Sequence, residues 1–395
     1  MASRAGEEKN SEISGQDRLF ERLRKLIMNS NLKDSALLKK AVAKEAFNLE
    51  EATELFKLEG DELKELFRIA DEVRRELKGD TITFVNVRNI NFTNICGTGC
   101  SFCGFARRES DSDSYRLSIE EIIEKAKEAK ERGATEICMQ GGIDAGLAEN
   151  FYIKLLSKLK EELPELHIHA FSPFEVDFGA RRKGISVKKY LAELKKAGLD
   201  SMPGTAAEIF DPEVRKKLSP KKIGTDRWFE IVRTAHETGI PTTCTMMYGH
   251  IDGPREWADH ILRLRRLQEE TGGFTEFVPL GFMPWKTPIF IAGIARAGAT
   301  REEHLKVHAV ARILLQGQID NIQVSWVKLG IELACEALQC GGNDFGGTLM
   351  GENITRAAGG NNPDELAPED FVKTIRAMNR VPAQRDTLYN ILKIF

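Results

Sequence analysis

No apolar run in the 395-residue chain reaches the roughly 18–20 residues that a membrane-spanning helix needs. The polar start, Met1 to Gln16, has no apolar centre for a secretory signal. A cytoplasmic protein is expected. Net charge is also nearly absent, since 57 Lys and Arg against 60 Asp and Glu leave −3, which offers no general attraction for nucleic acid. Cysteine is scarce. There are seven, three of them close together, which is no secreted disulfide framework. No G-x-G-x-x-G follows the first strand of a βαβ unit, so the dinucleotide fingerprint is missing.

What is present is the stretch Asn91–Gly104, with Cys96, Cys100 and Cys103 at C-x3-C-x2-C spacing and no fourth cysteine nearby. A structural zinc site takes four N/S ligands, and an ordinary electron-transfer cluster takes four thiolates. Three thiolates in one tight loop leave one iron of a [4Fe–4S] cluster without a protein ligand, as an enzyme needs if a small molecule is to bind that metal. Gly97 and Gly99 give the loop the backbone freedom to wrap a cluster. The competing readings are three unrelated cysteines in a turn, or a zinc site completed by a distant His or Cys. A non-catalytic iron–sulfur or zinc scaffold protein is the corresponding non-enzyme reading.

Along the chain, residues 1–15 read as a disordered polar tail. Residues 16–80 read as a helical extension, with helical spacing at Leu19, Phe20, Leu23, Leu26 and Ile27 and again at Leu63, Leu66, Phe67, Ala70 and Val73. A separate partner-binding module is the alternative for this part. From 81 to about 350, strands and helices alternate. Strands are expected at Thr83–Val87 with Ile90, Glu136–Met139, Leu166–Phe171, Leu199–Met202, Thr242–Met247, Thr275–Pro279, Ile322–Ser325 and Asn343–Phe345. Eight such units make a closed parallel (β/α)8 barrel of the TIM type, an α/β fold whose site lies at the C-terminal ends of the strands. Residues 351–395 read as a C-terminal helical cap.

Polar groups just past the strand ends are the candidates for the site. Gly141 and Gly142 follow the second strand. His167 and His169 share one side of the third, with His169 nearer the site if that side is inward. Glu208 follows the fourth strand, and carboxylates bind ribose hydroxyls well. Strand five offers Thr243, Thr245, Tyr248 and His250, and strand six Thr275 and Glu276. The far end offers Ser325, Lys328, Asn343, Asp344 and Thr348, the last three within a glycine-rich turn suited to a polyhydroxylated ligand.

The cysteine stretch resembles the signature of the radical S-adenosylmethionine (SAM) enzymes. Longer stretches, among them Ser201–Ile209, Thr242–His250, Gly341–Met350 and Gln384–Tyr389, resemble the tyrosine-using subunit of FO synthase, a deazaflavin-forming enzyme. They span about residues 50–390. The resemblance implies a [4Fe–4S] cluster on Cys96, Cys100 and Cys103, with SAM chelating the open iron. It implies Phe102 beside the SAM adenine, Gly141 and Gly142 approaching the SAM amino group through their backbone, and Glu208 and Arg215 as further SAM contacts. The acidic residue usual after the two glycines is absent here. The implied activity joins the 4-hydroxybenzyl group of L-tyrosine to 5-amino-6-(D-ribitylamino)uracil and releases 2-iminoacetate, methionine and 5'-deoxyadenosine. It needs a reductant, and a second radical SAM subunit to close the ring. Tyrosine must lose a hydrogen from a neutral amino group, which makes His169 and His250, with Tyr248, the catalytic candidates. Asn343, Asp344 and Thr348 are the substrate candidates. The rival within the superfamily is aminofutalosine synthase of menaquinone biosynthesis, or a related enzyme of that pathway.

Overall fold

A computed structural model describes residues 35–395. The expected polar tail at 1–15 and the helical spacing at Leu19–Ile27 lie outside them. The described N-terminal part is helical, with Ala36–Val42, Leu49–Lys57 and Gly60–Lys78. The third of these helices starts with Asp61 and Glu62 and ends with Arg75 and Lys78, each pair complementing the helix dipole at its end. Gly79, at φ 63°, stops it. It packs against the helix Arg301–Leu315, and Leu49–Lys57 packs against Pro254–Thr271. There Phe56 meets Trp257 edge to face, with ring centroids 5.5 Å apart.

The barrel is built stave by stave from parallel pairings. Strands β1 (Thr81–Val85) and β2 (Val87–Asn91) form one continuous first stave. β2 pairs with β3 (Glu136–Gln140), and β3 with β4 (His167–Ala170). Single bridges carry the ring from His169 to Ser201 and from Met202 to Thr242. β5 (Thr242–Tyr248) pairs with β6 (Phe274–Gly281). Phe277 then bridges Ile322, Gln323 bridges Asp344, and β7 (Asp344–Gly347) returns to β1. The closed parallel barrel of the sequence reading is therefore observed, and each expected strand supplies a stave. A helix that starts after Ser118 connects the first two staves. It runs from Ile119 to Glu131, and Ser118 and Glu121 form a reciprocal capping box.

The C-terminal stretch differs from the expected helical cap. The helix Pro368–Ala377 is present, but β8 (Val381–Arg385) runs parallel beside β1, with Thr81 opposite Val381 and Val85 opposite Arg385. β9 (Ile391–Ile394) folds back antiparallel. The cause is a set of polar side chains that find partners only inside the barrel. Arg385 reaches Asp344, Thr387 reaches Glu136, and Tyr389 reaches Glu276. Those three acidic residues lie in the N-terminal halves of their strands, so the hairpin closes the barrel floor.

Candidate active site

The cysteine loop leaves the first stave and is held on several sides. Cys96 N–H donates to the Arg107 carbonyl, and Gly97 N–H to that of Ile143, both at 3.0 Å. Ser101 N–H donates to the Leu218 carbonyl at 2.8 Å, and Ile289 N–H to the Ser101 carbonyl at 2.8 Å. Gly99 takes φ 70°, where a side chain would be strained. All three cysteines are free thiols and line one cavity of about 380 Å³ at the C-terminal ends of the staves. Among the described residues, no three His, Cys, Asp or Glu side chains close around a single point as one ion would need.

The surroundings suit a bound inorganic sulfide cluster. Ile143 N–H donates to Cys96 Sγ at 3.3 Å. Gly142 sits so close that an added Cβ would lie 2.1 Å from the Ile95 carbonyl oxygen and 2.9 Å from Cys96 Cβ. At Gly141 it would meet the Phe92 ring at 2.3 Å. The two glycines let the end of β3 press against the cysteine loop. Burial pushes the Cys100 thiol up to about 11, with the Lys222 ammonium opposing. A metal bound there deprotonates the thiol outright.

Phe102, Gly141, Gly142 and Glu208 line the same cavity as the three cysteines. Glu208 is paired with Lys222, Nζ to Oε1 at 2.5 Å, and that ammonium also stands 5.2 Å over the Phe102 ring. Burial alone would lower the Lys222 pKa, but Glu208 and Cys100 beside it hold it above its ordinary value.

The other expected residues do not line the cavity. Arg215 is buried beneath the loop that carries Glu208 and donates to the carbonyls of Ala206, Ala207, Ile209 and Ile223. That loop holds Ala206 at φ 63° and Glu208 at φ 48°, so Arg215 clamps a strained turn. His169 Nδ1 lies 2.7 Å from Ser201 Oγ inside the barrel, and burial holds its pKa down at about 3. His250 takes the Ile251 N–H on Nδ1 and donates from Nε2 to the Met247 carbonyl, so both ring nitrogens serve the turn after β5. Tyr248 points outward to His304 Nδ1 at 2.6 Å, because β5 alternation turns its neighbour Met247 to the cavity. Asn343 Oδ1 accepts from Arg312 and from Ile322 N–H. Asp344 is clasped by Arg385, Thr83 and Gly346 N–H. Thr348 Oγ exchanges hydrogen bonds with the backbone of Val87. These groups make their contacts within the barrel, away from the cavity.

Several cavity residues escaped the sequence reading, Lys222, Glu175 and Glu352 among them. Lys222 follows a short helix and has no diagnostic spacing. Glu175 was visible only as the end of a capping box from Ser172. It is 1% exposed, accepts the Gly141 N–H at 3.0 Å, and burial pushes it up to about 7. The far-end pair Ser325 and Lys328 does line the cavity, as does Glu352.

Residues 90–264 match the Radical SAM superfamily, and residues 271–395 match the CofH/MqnC C-terminal region. The chain is 51% identical over 352 residues to the 5-amino-6-(D-ribitylamino)uracil–L-tyrosine 4-hydroxyphenyl transferase of Methanopyrus kandleri, covering 89% of this chain and 95% of that protein. It is 50% identical to the enzyme of the same description from Methanothermobacter thermautotrophicus, covering 92% and 98%. It is also 50% identical to the FO synthase of Mycobacterium leprae, but spans only 38% of that longer protein. Among solved structures, methylornithine synthase (PylB) matches with a TM-score of 0.67 at 21% identity, covering 88% of this chain and 97% of that one. The FeFe-hydrogenase maturase HydG of Carboxydothermus hydrogenoformans matches with 0.68 at 22%, covering 97% and 87%. At such identities these two support the barrel fold alone. The cysteine cavity, the two family matches and the half-identical full-length relatives together place the chain: it belongs to the radical SAM superfamily, with the C-terminal region of the CofH/MqnC group.

Proposed function

We propose that the chain is a radical SAM transferase of deazaflavin formation, joining the 4-hydroxybenzyl group of L-tyrosine to 5-amino-6-(D-ribitylamino)uracil with release of 2-iminoacetate. The observation that carries this reading is identity of about one half, over nearly the full length of both chains, to two enzymes described by that reaction. Cys96, Cys100 and Cys103 would hold the [4Fe–4S] cluster, which when bound would supply the electron for reductive cleavage of SAM.

The chain's own residues do the positioning. Gly141 and Gly142 keep the end of β3 against the cysteine loop, and Glu175 pins that end through the Gly141 N–H. Glu208 and Lys222 offer a carboxylate and an ammonium beside Phe102, suited to a ligand with ribose hydroxyls. Arg215 fixes the turn that presents Glu208. Orientation of the bound groups accounts for the rest of the protein's share. Among the described residues no helix is long and apolar enough to cross a membrane. We place the enzyme in the cytoplasm, where a reductant and the ring-closing second radical SAM subunit are at hand.

The test is anaerobic turnover of the cluster-loaded protein with dithionite and SAM. Free 5'-deoxyadenosine is expected only when tyrosine is added, with a hydroxybenzyl adduct when the ribitylaminouracil is also present. An adenosyl group ending covalently in a product would move the chain to the aminofutalosine synthase type of reaction.

A further inference from the structure

The cavity has a second polar wall that the cluster side does not use. The thiols, Gly141, Gly142, Glu175 and Glu208 come from loops after the first four staves. Lys328 follows the seventh stave, and Glu352 and Thr355 follow the last. Lys328 Nζ donates to Thr355 Oγ at 3.1 Å, and Thr355 Oγ donates in turn to Glu352 Oε1 at 3.1 Å. Thr355 N–H reaches the same Oε1 at 2.9 Å. One hydroxyl thus bridges an ammonium and a carboxylate. Glu352 is 7% exposed, and its Oε2 has no hydrogen-bond partner. A buried carboxylate oxygen without a donor is costly, and native structures rarely leave one unless something outside the chain completes it. Burial also lowers the Lys328 pKa, with Glu352 opposing, so the ammonium too gains from an added anionic partner.

A cation and an anion held apart by one hydroxyl match a ligand that carries opposite charges one carbon apart. That is the head group of a free α-amino acid. Its ammonium supplies the donor that Glu352 Oε2 lacks, and its carboxylate neutralises Lys328. SAM has such a head group as well, but on the transferase reading the cluster held by Cys96, Cys100 and Cys103 would take it.

We infer that Lys328 and Glu352, spaced by Thr355, are the head-group site for the amino-acid substrate, Lys328 receiving the α-carboxylate and Glu352 the α-ammonium, whose proton the Glu352 carboxylate can take to leave the neutral amine. The inference rests on the transferase reading, and it takes over the substrate role that Asn343, Asp344 and Thr348 cannot fill.

The test is binding without turnover. Cluster-loaded protein with SAM and no reductant is titrated calorimetrically with L-tyrosine, with tyramine, which lacks the carboxylate, and with 3-(4-hydroxyphenyl)propanoate, which lacks the amine. A charge-assisted contact corresponds to about a 10- to 100-fold difference in affinity. Wild type should therefore prefer tyrosine over each truncated compound by about that factor. Lys328→Met should bring tyrosine down to the tyramine level and leave tyramine unchanged. Glu352→Gln should do the same against the propanoate, and Lys328→Arg should restore part of the preference. SAM affinity should be unaltered in all three variants. Equal wild-type affinity for the three compounds overturns the head-group assignment whatever the variants do. So does a Lys328→Met protein that weakens tyrosine and tyramine alike. A wild type that binds SAM and no tyrosine at all overturns the transferase reading itself, and the inference with it.

Discussion

The mouth and the floor of this barrel are both rich in buried charge, and they differ in who supplies the partners. On the floor, Arg385 clasps Asp344 through Nε and Nη2 and stacks 3.9 Å over the Tyr389 ring. Tyr389 donates to Glu276 Oε2, which also accepts from Gln323 at 3.1 Å. Every one of these contacts is made within the chain. At the mouth, Glu352 Oε2 has no partner, and three thiols share one wall of an open cavity. Buried charge on the floor is matched wholly within the chain, whereas at the mouth Glu208 with Lys222 and Glu175 with Gly141 N–H are matched so and Glu352 Oε2 is left for a partner from outside. A polar residue in a barrel interior is therefore informative only once its partners are known.

If that division holds, substitutions at the two ends should separate activity from stability. The largest effect is expected at Cys100. Cys100→Ala should lose cluster iron and all 5'-deoxyadenosine formation, while the free energy of unfolding of the metal-free protein changes by only about 1 kcal/mol. Iron analysis and urea unfolding of the apo forms check both halves. Arg385→Met should do the converse. It leaves Asp344 buried and unpaired, so about 3–5 kcal/mol of stability should be lost, with the affinity of the folded fraction for SAM close to wild type. A large loss of SAM affinity with unchanged stability would break the comparison.

Glu175 sharpens it, because this carboxylate belongs to the mouth but is satisfied internally. Its pKa is raised by burial from 4.5 to about 7. The folded state thus binds the proton more tightly than the unfolded one. The stabilisation is complete below about pH 4.5 and is lost as pH rises through about 7, a change on the order of 3 kcal/mol. Glu175→Gln keeps an acceptor for Gly141 N–H and should remove this slope, as unfolding measured from pH 5 to 8 against wild type would reveal. The smallest effect is expected from Tyr248→Phe. It removes one hydrogen bond to His304, about 1 kcal/mol, and should leave kcat and both KM values unchanged. A loss of kcat there would return Tyr248 to the chemistry.

The same division explains what the sequence made legible. The eight staves were readable because buried parallel strands are short apolar runs between helical repeats. The cysteine loop was readable because its three ligands are local. Asn343 and Asp344 were misplaced because their partners Arg312 and Arg385 are 31 and 41 residues away in the chain. Polar side chains beside glycines at a strand boundary look alike at either end of a barrel. Tyr248 was misplaced by one step of strand alternation, which no polar pattern fixes in a strand buried along its whole length. β8 went unread because Pro382 and Arg385 are poor strand signals, and its pairing with β1 spans 300 residues. Lys222 and Glu352 reach the cavity only through tertiary folding.

The fate of the tyrosine carbons separates the possible reactions most directly. Cluster-loaded enzyme with SAM, reductant and the ribitylaminouracil can be given tyrosine labelled at Cα in one reaction and at Cβ in another, and the products followed by mass spectrometry. Breaking of the Cα–Cβ bond predicts the Cβ label in the uracil adduct and the Cα label in the released two-carbon acid. Both labels remaining together in one product, or adenosyl carbons appearing in the adduct, would contradict it.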